Sequence, residues 1–195
     1  RAEDEFRLTL EALEAKVTPR TRALLINFPC NPTGAVLDAA RAAMIADFVT
    51  RHDLLLLTDE VYSELTYEAA RVSAAQIPGL RERTIFLGGF SKAWAMTGFR
   101  LGFVCAPAEL VEAMMKVHQF GMMCAPSISQ KAGVEALDNG WDDIAAMRDS
   151  YRDRRNLMCA AFAEMGLDCY VPQGAFYTFP SIRSTGLSSR EFAMR

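Results

Sequence analysis

The sequence predicts an α/β fold in which a mostly parallel sheet is sandwiched between helices. Several short runs, such as residues 54–57, are apolar throughout, which is typical of strands buried on both faces of a parallel sheet. Segments with helical spacing separate these runs. Polar residues follow the runs directly, at the strand ends where α/β proteins bind their ligands.

The first half of the chain alternates between helices and strands. Residues 8–16 have the leucine spacing of a helix, and residues 23–28 form an apolar strand that ends at Pro29. Asp38 is expected to cap a helix that reaches residue 52. A short helix is expected near residues 72–76, and the further predicted strands are residues 54–57, 84–87 and 101–105.

The second half begins with helices, which are predicted from residue 107, over residues 127–137 and over residues 142–165. The length of the third helix suggests a connector between domains. Two strands are then expected at residues 167–171 and 175–182. We therefore predict that residues 1–150 are part of a large, incomplete domain. Residues 151–195 would hold the connector helix and the beginning of a smaller α+β C-terminal domain.

The two ends of the chain suggest a piece of a longer protein. The sequence starts at Arg1 without a methionine. It stops at Arg195, inside a helix that is expected to begin near Ser188.

Composition excludes several classes of protein. Hydrophobic residues make up 51% of the chain and charged residues 23%, as in globular proteins. The formal net charge of -3 and the lack of a basic run argue against nucleic acid as a partner, and no apolar stretch is long enough to span a membrane. The five cysteines include no CxxC, so we expect reduced thiols in a cytoplasmic protein. His52 and His118 have no partner at ligand spacing, so no metal site is predicted.

Lys92 is the main candidate for a reactive group. It is the only charged residue between Arg83 and Arg100, and it lies in a glycine-containing apolar turn after the third predicted strand. Most lysines are solvated surface groups. An apolar setting, however, favours the neutral amine, which can attack a carbonyl and form a Schiff base.

Three more polar side chains are expected at the same edge of the sheet. Asp59 follows the four-leucine run, and a carboxylate there needs a cationic partner unless it only caps a turn. Tyr62 could donate a hydrogen bond to a ligand or pack at the rim of a site. Asn31 lies in a loop made rigid by prolines, and it could orient its amide towards a ligand or simply form a turn.

An anion site is expected beside Lys92. Arg100 precedes the fourth predicted strand and could hold a phosphate through two hydrogen bonds, or it could be a surface arginine. The hydroxyl of Ser91 could bind the same phosphate. Phe176 and Tyr177 could approach the substrate, although we expect them in the core of the smaller domain.

These residues together resemble the fold-type I pyridoxal-phosphate (PLP) enzymes, class I/II aminotransferases of the aspartate-aminotransferase superfamily. The lysine signature fits residues 89–102 (GFSKAWAMTGFRLG). Its two upstream hallmarks fit residues 31–34 (NPTG) and residues 58–62 (TDEVY), in the expected order. The likeness extends from about residue 8 to residue 182, which is nearly the whole chain.

The resemblance implies a role for each of these residues and a reaction. PLP would be held by Lys92 as a Schiff base, and the same amine would move the proton at the substrate α-carbon. Asp59 would pair with the pyridinium nitrogen, while Asn31 and Tyr62 would bind the 3′-oxygen. Arg100, with Ser91, would bind the phosphate. The reaction would be transamination between an L-amino acid and a 2-oxo acid, in a protein that forms a homodimer.

Comparison with the family pattern predicts a cis peptide, and this sequence departs from the pattern at one position and lacks several of its features. We predict that the Asn31–Pro32 peptide is cis. Gly89 stands where many relatives carry a hydroxyl residue near the phosphate. The family's phosphate loop, its PLP-stacking aromatic ring and its carboxylate-binding arginine are not found in this sequence. We therefore expect these 195 residues to be inactive alone.

Two alternatives share the Lys92 chemistry or its fold. The same fold hosts carbon–sulfur lyases and decarboxylases, which the lysine signature does not separate from aminotransferases. Some transcription regulators carry an aminotransferase-like sensor domain behind a basic DNA-binding segment. Nothing in the sequence supports the second alternative.

Overall fold

The computed structural model describes residues 4–68 and 70–195. Residues 1–3 and Ala69, which belong to the predicted first domain, lie outside the described residues. The strands are β1 (Ala23–Asn27), β2 (Leu55–Asp59), β3 (Thr84–Gly89) and β4 (Gly102–Cys105). The helices are α1 (Leu10–Glu14), α2 (Ala39–Arg51), α3 (Ala108–Gly121), α4 (Ser127–Asn139), α5 (Trp141–Glu164) and α6 (Ser189–Met194).

The four strands form one sheet in the order β1-β2-β3-β4. β1, β2 and β3 are parallel, whereas β4 runs antiparallel to β3. In this register Asn27 lies beside Asp59, and Asp59 lies beside Leu87. The carboxyl ends of the three parallel strands therefore meet at one edge, and the mostly parallel α/β sheet is confirmed.

The main core lies between α2 and the first two strands. Ile45, Phe48 and Val49 of α2 are buried at helical spacing, so they form one apolar face of the helix. They pack with residues on the sheet that include Leu56, which is fully buried. The Asp38 carboxylate caps α2 by accepting a hydrogen bond of 2.8 Å from the Arg41 backbone N–H, as predicted. This packing fixes the end of β2, where Asp59 lies.

The prediction of two strands near the end of the chain is wrong. Among the described residues, the segments 167–171 and 175–182 share a single isolated bridge, between Cys169 and Pro180, and Gly174 in the turn between them bridges to Thr66. Their backbone groups bond instead to loops of the first half, for example from the Ala175 N–H to the Leu65 carbonyl at 3.0 Å. Among the described residues, no strand runs alongside these two segments. The segments therefore do not form the hydrogen-bond ladder of a sheet.

The long helix α5 passes through residue 150 without a break. The division of the chain into two domains at this residue stays a prediction. None of the helices in residues 4–68 and 70–195 combines the length and the apolar character needed to cross a membrane.

Candidate active site

Asn27 links the first two predicted site residues. Its side-chain amide donates a hydrogen bond of 3.1 Å to the Asp59 carbonyl, and its side-chain oxygen accepts one of 3.1 Å from the Asn31 N–H. The loop that carries Asn31 is therefore attached directly to the end of β2. Sequence reasoning missed Asn27, although a polar residue at the end of an apolar strand was the signal.

The backbone of the Asn31 loop contains two cis peptides and an internal hydrogen bond. The Asn31–Pro32 peptide is cis, as predicted, and so is the Phe28–Pro29 peptide. The loop closes on itself through a hydrogen bond of 2.8 Å from the Gly34 N–H to the Cys30 carbonyl. Asn31 lies at the exposed side of the loop, and its side chain is near enough to Tyr62 to lower the pKa of that phenol.

Lys92 lies three residues beyond β3 and faces aromatic rings. Its Nζ atom is 5.6 Å from the ring centroid of Tyr62 and 5.6 Å from that of Phe176. Among residues 4–68 and 70–195, no carboxylate forms a salt bridge with this amine. The half-buried amine thus lies against the faces of two aromatic rings.

Tyr62 is buried between Lys92 and a second tyrosine. It is 3% exposed, and its hydroxyl oxygen lies 2.6 Å from that of Tyr177. Burial, and after it the hydrogen bond with Tyr177, raises the pKa of Tyr62 well above its usual value. The phenol therefore keeps its proton at neutral pH and can donate it in a hydrogen bond.

Asp59 ends β2 with a carboxylate that has one described partner. Its Oδ1 atom accepts a hydrogen bond of 3.2 Å from the Val61 N–H. In the part of the chain that the structure describes, it forms no salt bridge. The half-buried carboxylate is thus open to a cationic partner.

Ser91 and Arg100 are connected through Thr97. β4 returns antiparallel to β3 with Gly102 opposite Gly89, so Arg100 comes back to the edge where β3 ends. Arg100 is exposed, and its guanidinium donates a hydrogen bond of 2.9 Å to the Thr97 carbonyl. The Thr97 hydroxyl donates one of 2.9 Å to the Ser91 carbonyl. The Ser91 hydroxyl and the Arg100 guanidinium are therefore carried by one turn.

The turn that carries Phe176 and Tyr177 docks onto the Asn31 loop. The Gly34 carbonyl accepts hydrogen bonds from the Gln173 N–H at 2.9 Å and from the Gly174 N–H at 3.0 Å. The sequence places both aromatic residues in the core of a smaller domain, whereas the structure packs them against Lys92 and Tyr62. These long-range backbone bonds leave no pattern in the sequence, which explains the difference.

Arg155 of α5 holds the same turn from the other side. It is 8% exposed, and its guanidinium donates two hydrogen bonds to the Glu68 carboxylate, at 2.6 and 2.7 Å. A third bond of 2.9 Å reaches the Pro172 carbonyl. The pairing with Arg155 lowers the pKa of Glu68. This buried arginine was not among the predicted site residues, because nothing in the sequence distinguishes it from its charged neighbours on α5.

Glu60, next to Asp59, is a buried carboxyl that braces the end of β2. Its Oε1 atom accepts hydrogen bonds of 3.0 Å from the hydroxyls of Thr58 and Ser73 and from the Ala74 N–H. Burial raises the pKa of Glu60. Glu60 therefore links the end of β2 to residues 73–74.

Comparison with known proteins identifies the family. The sequence profile described as "Aminotransferase class I and II" matches residues 1–194. The chain belongs to the class I and II aminotransferase family. Members of this family are in general PLP enzymes. The sequence resemblance is thus confirmed at the level of the family.

Individual aminotransferases resemble the chain closely. It is 48% identical over 194 residues to "Aromatic-amino-acid aminotransferase 2" of Thermococcus litoralis, covering 98% of this chain and 50% of the relative. It is 45% identical over 194 residues to "Aspartate aminotransferase" of Pyrococcus abyssi, with the same coverage of both chains. The crystal structure of an aromatic aminotransferase from Pyrococcus horikoshii OT3 superposes with a TM-score of 0.96 and 47% identity. That match covers 100% of this chain and 53% of the other. The chain thus spans about half the length of the relatives it matches.

Proposed function

We propose that this chain carries the cofactor-binding part of an aminotransferase, with PLP attached to Lys92. The observation that supports it best is the position of the Lys92 amine in a member of this family. The amine lies at the sheet edge against the rings of Tyr62 and Phe176. The reaction is transfer of an amino group between an L-amino acid and a 2-oxo acid.

The chemistry of the side chains fits PLP. An amine among apolar faces suits covalent attachment to the cofactor's carbonyl carbon. The Asp59 carboxylate, without a described salt bridge, suits the pyridinium nitrogen. The Tyr62 phenol and the Asn31 amide suit the 3′-oxygen, and Arg100 with the Ser91 hydroxyl suits the phosphate.

Each residue has a task in this proposal. When bound, PLP supplies an electron sink for the bonds of the substrate α-carbon. Lys92, once its amine is free, takes the proton from that carbon and returns one. Asp59 keeps the ring nitrogen protonated, because a carboxylate favours the charged form of its partner. Arg100 and Ser91 hold the phosphate end in place.

The whole protein's substrates and assembly are part of the proposal. The names of the relatives include aromatic amino acids and aspartate, which supports an L-amino acid without selecting one. We propose that a protein of the relatives' full length, here called the full-length protein, is a cytoplasmic homodimer. It would supply the phosphate loop, the stacking aromatic ring and the carboxylate-binding arginine from outside these 195 residues.

Absorbance of the full-length protein tests the attachment to Lys92. With PLP added, the wild type is expected to show the visible band of a lysine-bound cofactor, and Lys92→Ala is expected to lose it. Lys116→Ala is a matched control, because Lys116 is an exposed lysine on α3. A band that persists in Lys92→Ala would contradict the proposal.

Product analysis separates transamination from lyase or decarboxylase chemistry. Isotope-labelled amino nitrogen from an L-amino acid is expected to appear in an added 2-oxo acid, with an equal amount of the donor's own 2-oxo acid formed. Release of ammonia, carbon dioxide or a thiol in place of nitrogen transfer would show a different reaction on the same Lys92 site.

A further inference from the structure

Tyr62 has a phenolic neighbour that the roles described above do not use. The hydroxyl oxygens of Tyr62 and Tyr177 are 2.6 Å apart, and the ring of Tyr62 is 3% exposed. The ring of Phe176 packs edge-on against that of Tyr62, with centroids 5.4 Å apart. Water therefore has little access to Tyr62, and the described hydrogen-bond partner of its hydroxyl is Tyr177.

We propose that Tyr177 is a positioning residue for Tyr62, which it orients through a hydrogen bond between the two hydroxyls. The inference rests on the proposed function, in which Tyr62 donates a hydrogen bond to the 3′-oxygen of PLP. A phenol has one proton to donate and lone pairs that accept. Tyr177 can therefore act as the acceptor in one state of the site and as the donor in another.

Without a ligand, either phenol can donate in the bond between the two hydroxyls, and the raised pKa of Tyr62 favours Tyr62 as the donor. The bond to Tyr177 raises the pKa of Tyr62, which is the effect of an acceptor that holds the phenol's proton. The Asn31 side chain has the opposite effect on Tyr62, as expected of an amide that donates to the phenol oxygen. The Tyr62 hydroxyl thus lies 2.6 Å from the Tyr177 hydroxyl and near the Asn31 side chain.

With an anionic oxygen at the site, the shared bond reverses. An ionised oxygen is a stronger acceptor than a phenol, so Tyr62 turns its proton to the ligand. Tyr177 then donates its own proton to the Tyr62 oxygen. Hydrogen bonds in such a chain polarise one another. Tyr62 is therefore a stronger donor to the ligand when its own oxygen accepts a hydrogen bond from Tyr177.

The turn before Tyr177, residues 172–175, is held in place by bonds to its backbone and not by the Tyr177 hydroxyl. The Ala175 N–H donates to the Leu65 carbonyl at 3.0 Å, and the Tyr67 N–H donates to the Gln173 carbonyl at 2.9 Å. The Arg155 guanidinium reaches the carbonyl of Pro172 in the same turn. Tyr177→Phe should therefore remove the hydroxyl and leave the turn in position.

The test compares four forms of the full-length protein: wild type, Tyr62→Phe, Tyr177→Phe and the double variant. The first readout is the pH midpoint at which the visible band of lysine-bound PLP changes. Tyr62→Phe is expected to raise this midpoint, because the ionised 3′-oxygen loses a donor. Tyr177→Phe is expected to raise it by less, on the order of half a pH unit. The double variant should match Tyr62→Phe, because Tyr177 acts only through Tyr62.

Tyr151→Phe is the matched control. The ring of Tyr151 packs against Phe176 with centroids 5.2 Å apart, and the described residues include no hydrogen-bond partner for its hydroxyl. Removing that hydroxyl changes the same aromatic cluster without touching Tyr62. The pH midpoint of this variant should equal that of the wild type.

A second readout uses the protein without PLP. In carbon-13 NMR of labelled tyrosines, the Tyr62 resonance should begin to titrate at lower pH in Tyr177→Phe than in the wild type. The reason is that Tyr177→Phe removes the hydroxyl that accepts the hydrogen bond from Tyr62. Its assignment comes from its loss in Tyr62→Phe.

The outcomes separate this inference from the proposed function. If Tyr62→Phe moves the midpoint and Tyr177→Phe does not, the role of Tyr177 is overturned while PLP binding by Tyr62 stands. A midpoint shift by Tyr177→Phe that persists in the Tyr62→Phe background also overturns it. If no lysine-bound band forms at all, the proposed function fails. The NMR titration then decides on the tyrosine pair by itself.

Discussion

Gly34→Ala tests the contact between the Asn31 loop and the turn that carries Phe176 and Tyr177. Gly34 has φ = +71°, in the left-handed region that favours glycine. A Cβ atom at this position would lie 2.3 Å from the Pro172 Cβ and 2.9 Å from the Gly174 carbonyl oxygen. The methyl group must therefore push the loop and the turn apart.

Two costs add up in this variant. A non-glycine residue in the left-handed region costs about 1–2 kcal/mol. Forcing an extra methyl group into packed surroundings costs about 1–3 kcal/mol. We therefore expect Gly34→Ala to lower the free energy of unfolding by about 2–5 kcal/mol, which is a large share of a typical protein's stability.

Gly79→Ala isolates the first cost, the backbone strain. Gly79 has φ = +81°, and no described atom lies within 4 Å of the place its Cβ would take. The variant Gly79→Ala introduces only backbone strain, so it should lower the free energy of unfolding by only about 1–2 kcal/mol. Denaturant unfolding of both variants of the full-length protein, followed by circular dichroism, measures the difference. Equal unfolding midpoints for Gly34→Ala and Gly79→Ala would refute the close approach of loop and turn.

Two further results are expected. Glu68→Gln should destabilise the protein by about 1 kcal/mol or less at neutral pH, since Glu68 is half exposed. Because the folded pKa of Glu68 lies below its usual value of 4.5, the stabilisation is present above that pH and is lost as pH falls through the folded pKa. Urea midpoints of wild type and variant should therefore converge below about pH 4.5, and a constant gap would contradict the ion pair. The 195-residue chain alone should show no turnover in a coupled 2-oxo-acid assay, and the full-length protein should show turnover.

Local patterns were enough for much of the fold. The apolar runs before Asn31, Asp59 and Lys92 became the three parallel strands, because buried parallel strands need continuous apolar residues. The Asp38 cap and the cis Asn31–Pro32 peptide are confirmed as well. The two late strands failed because a strand exists only with a partner, and an apolar pattern does not say where its hydrogen bonds will go.

Local sequence signals were enough to identify the side chains that are available for chemistry. A lone charge in an apolar turn marked Lys92, and polar residues at strand ends marked Asn31 and Asp59, because these signals lie within a few residues of one another. The groups that lie next to these side chains depend on the tertiary packing. Tyr177 reaches Tyr62 across 115 positions, and Arg155 reaches Glu68 across 87. Contacts over such separations are set by how the sheet edge, the Asn31 loop and α5 pack together, which no local pattern records.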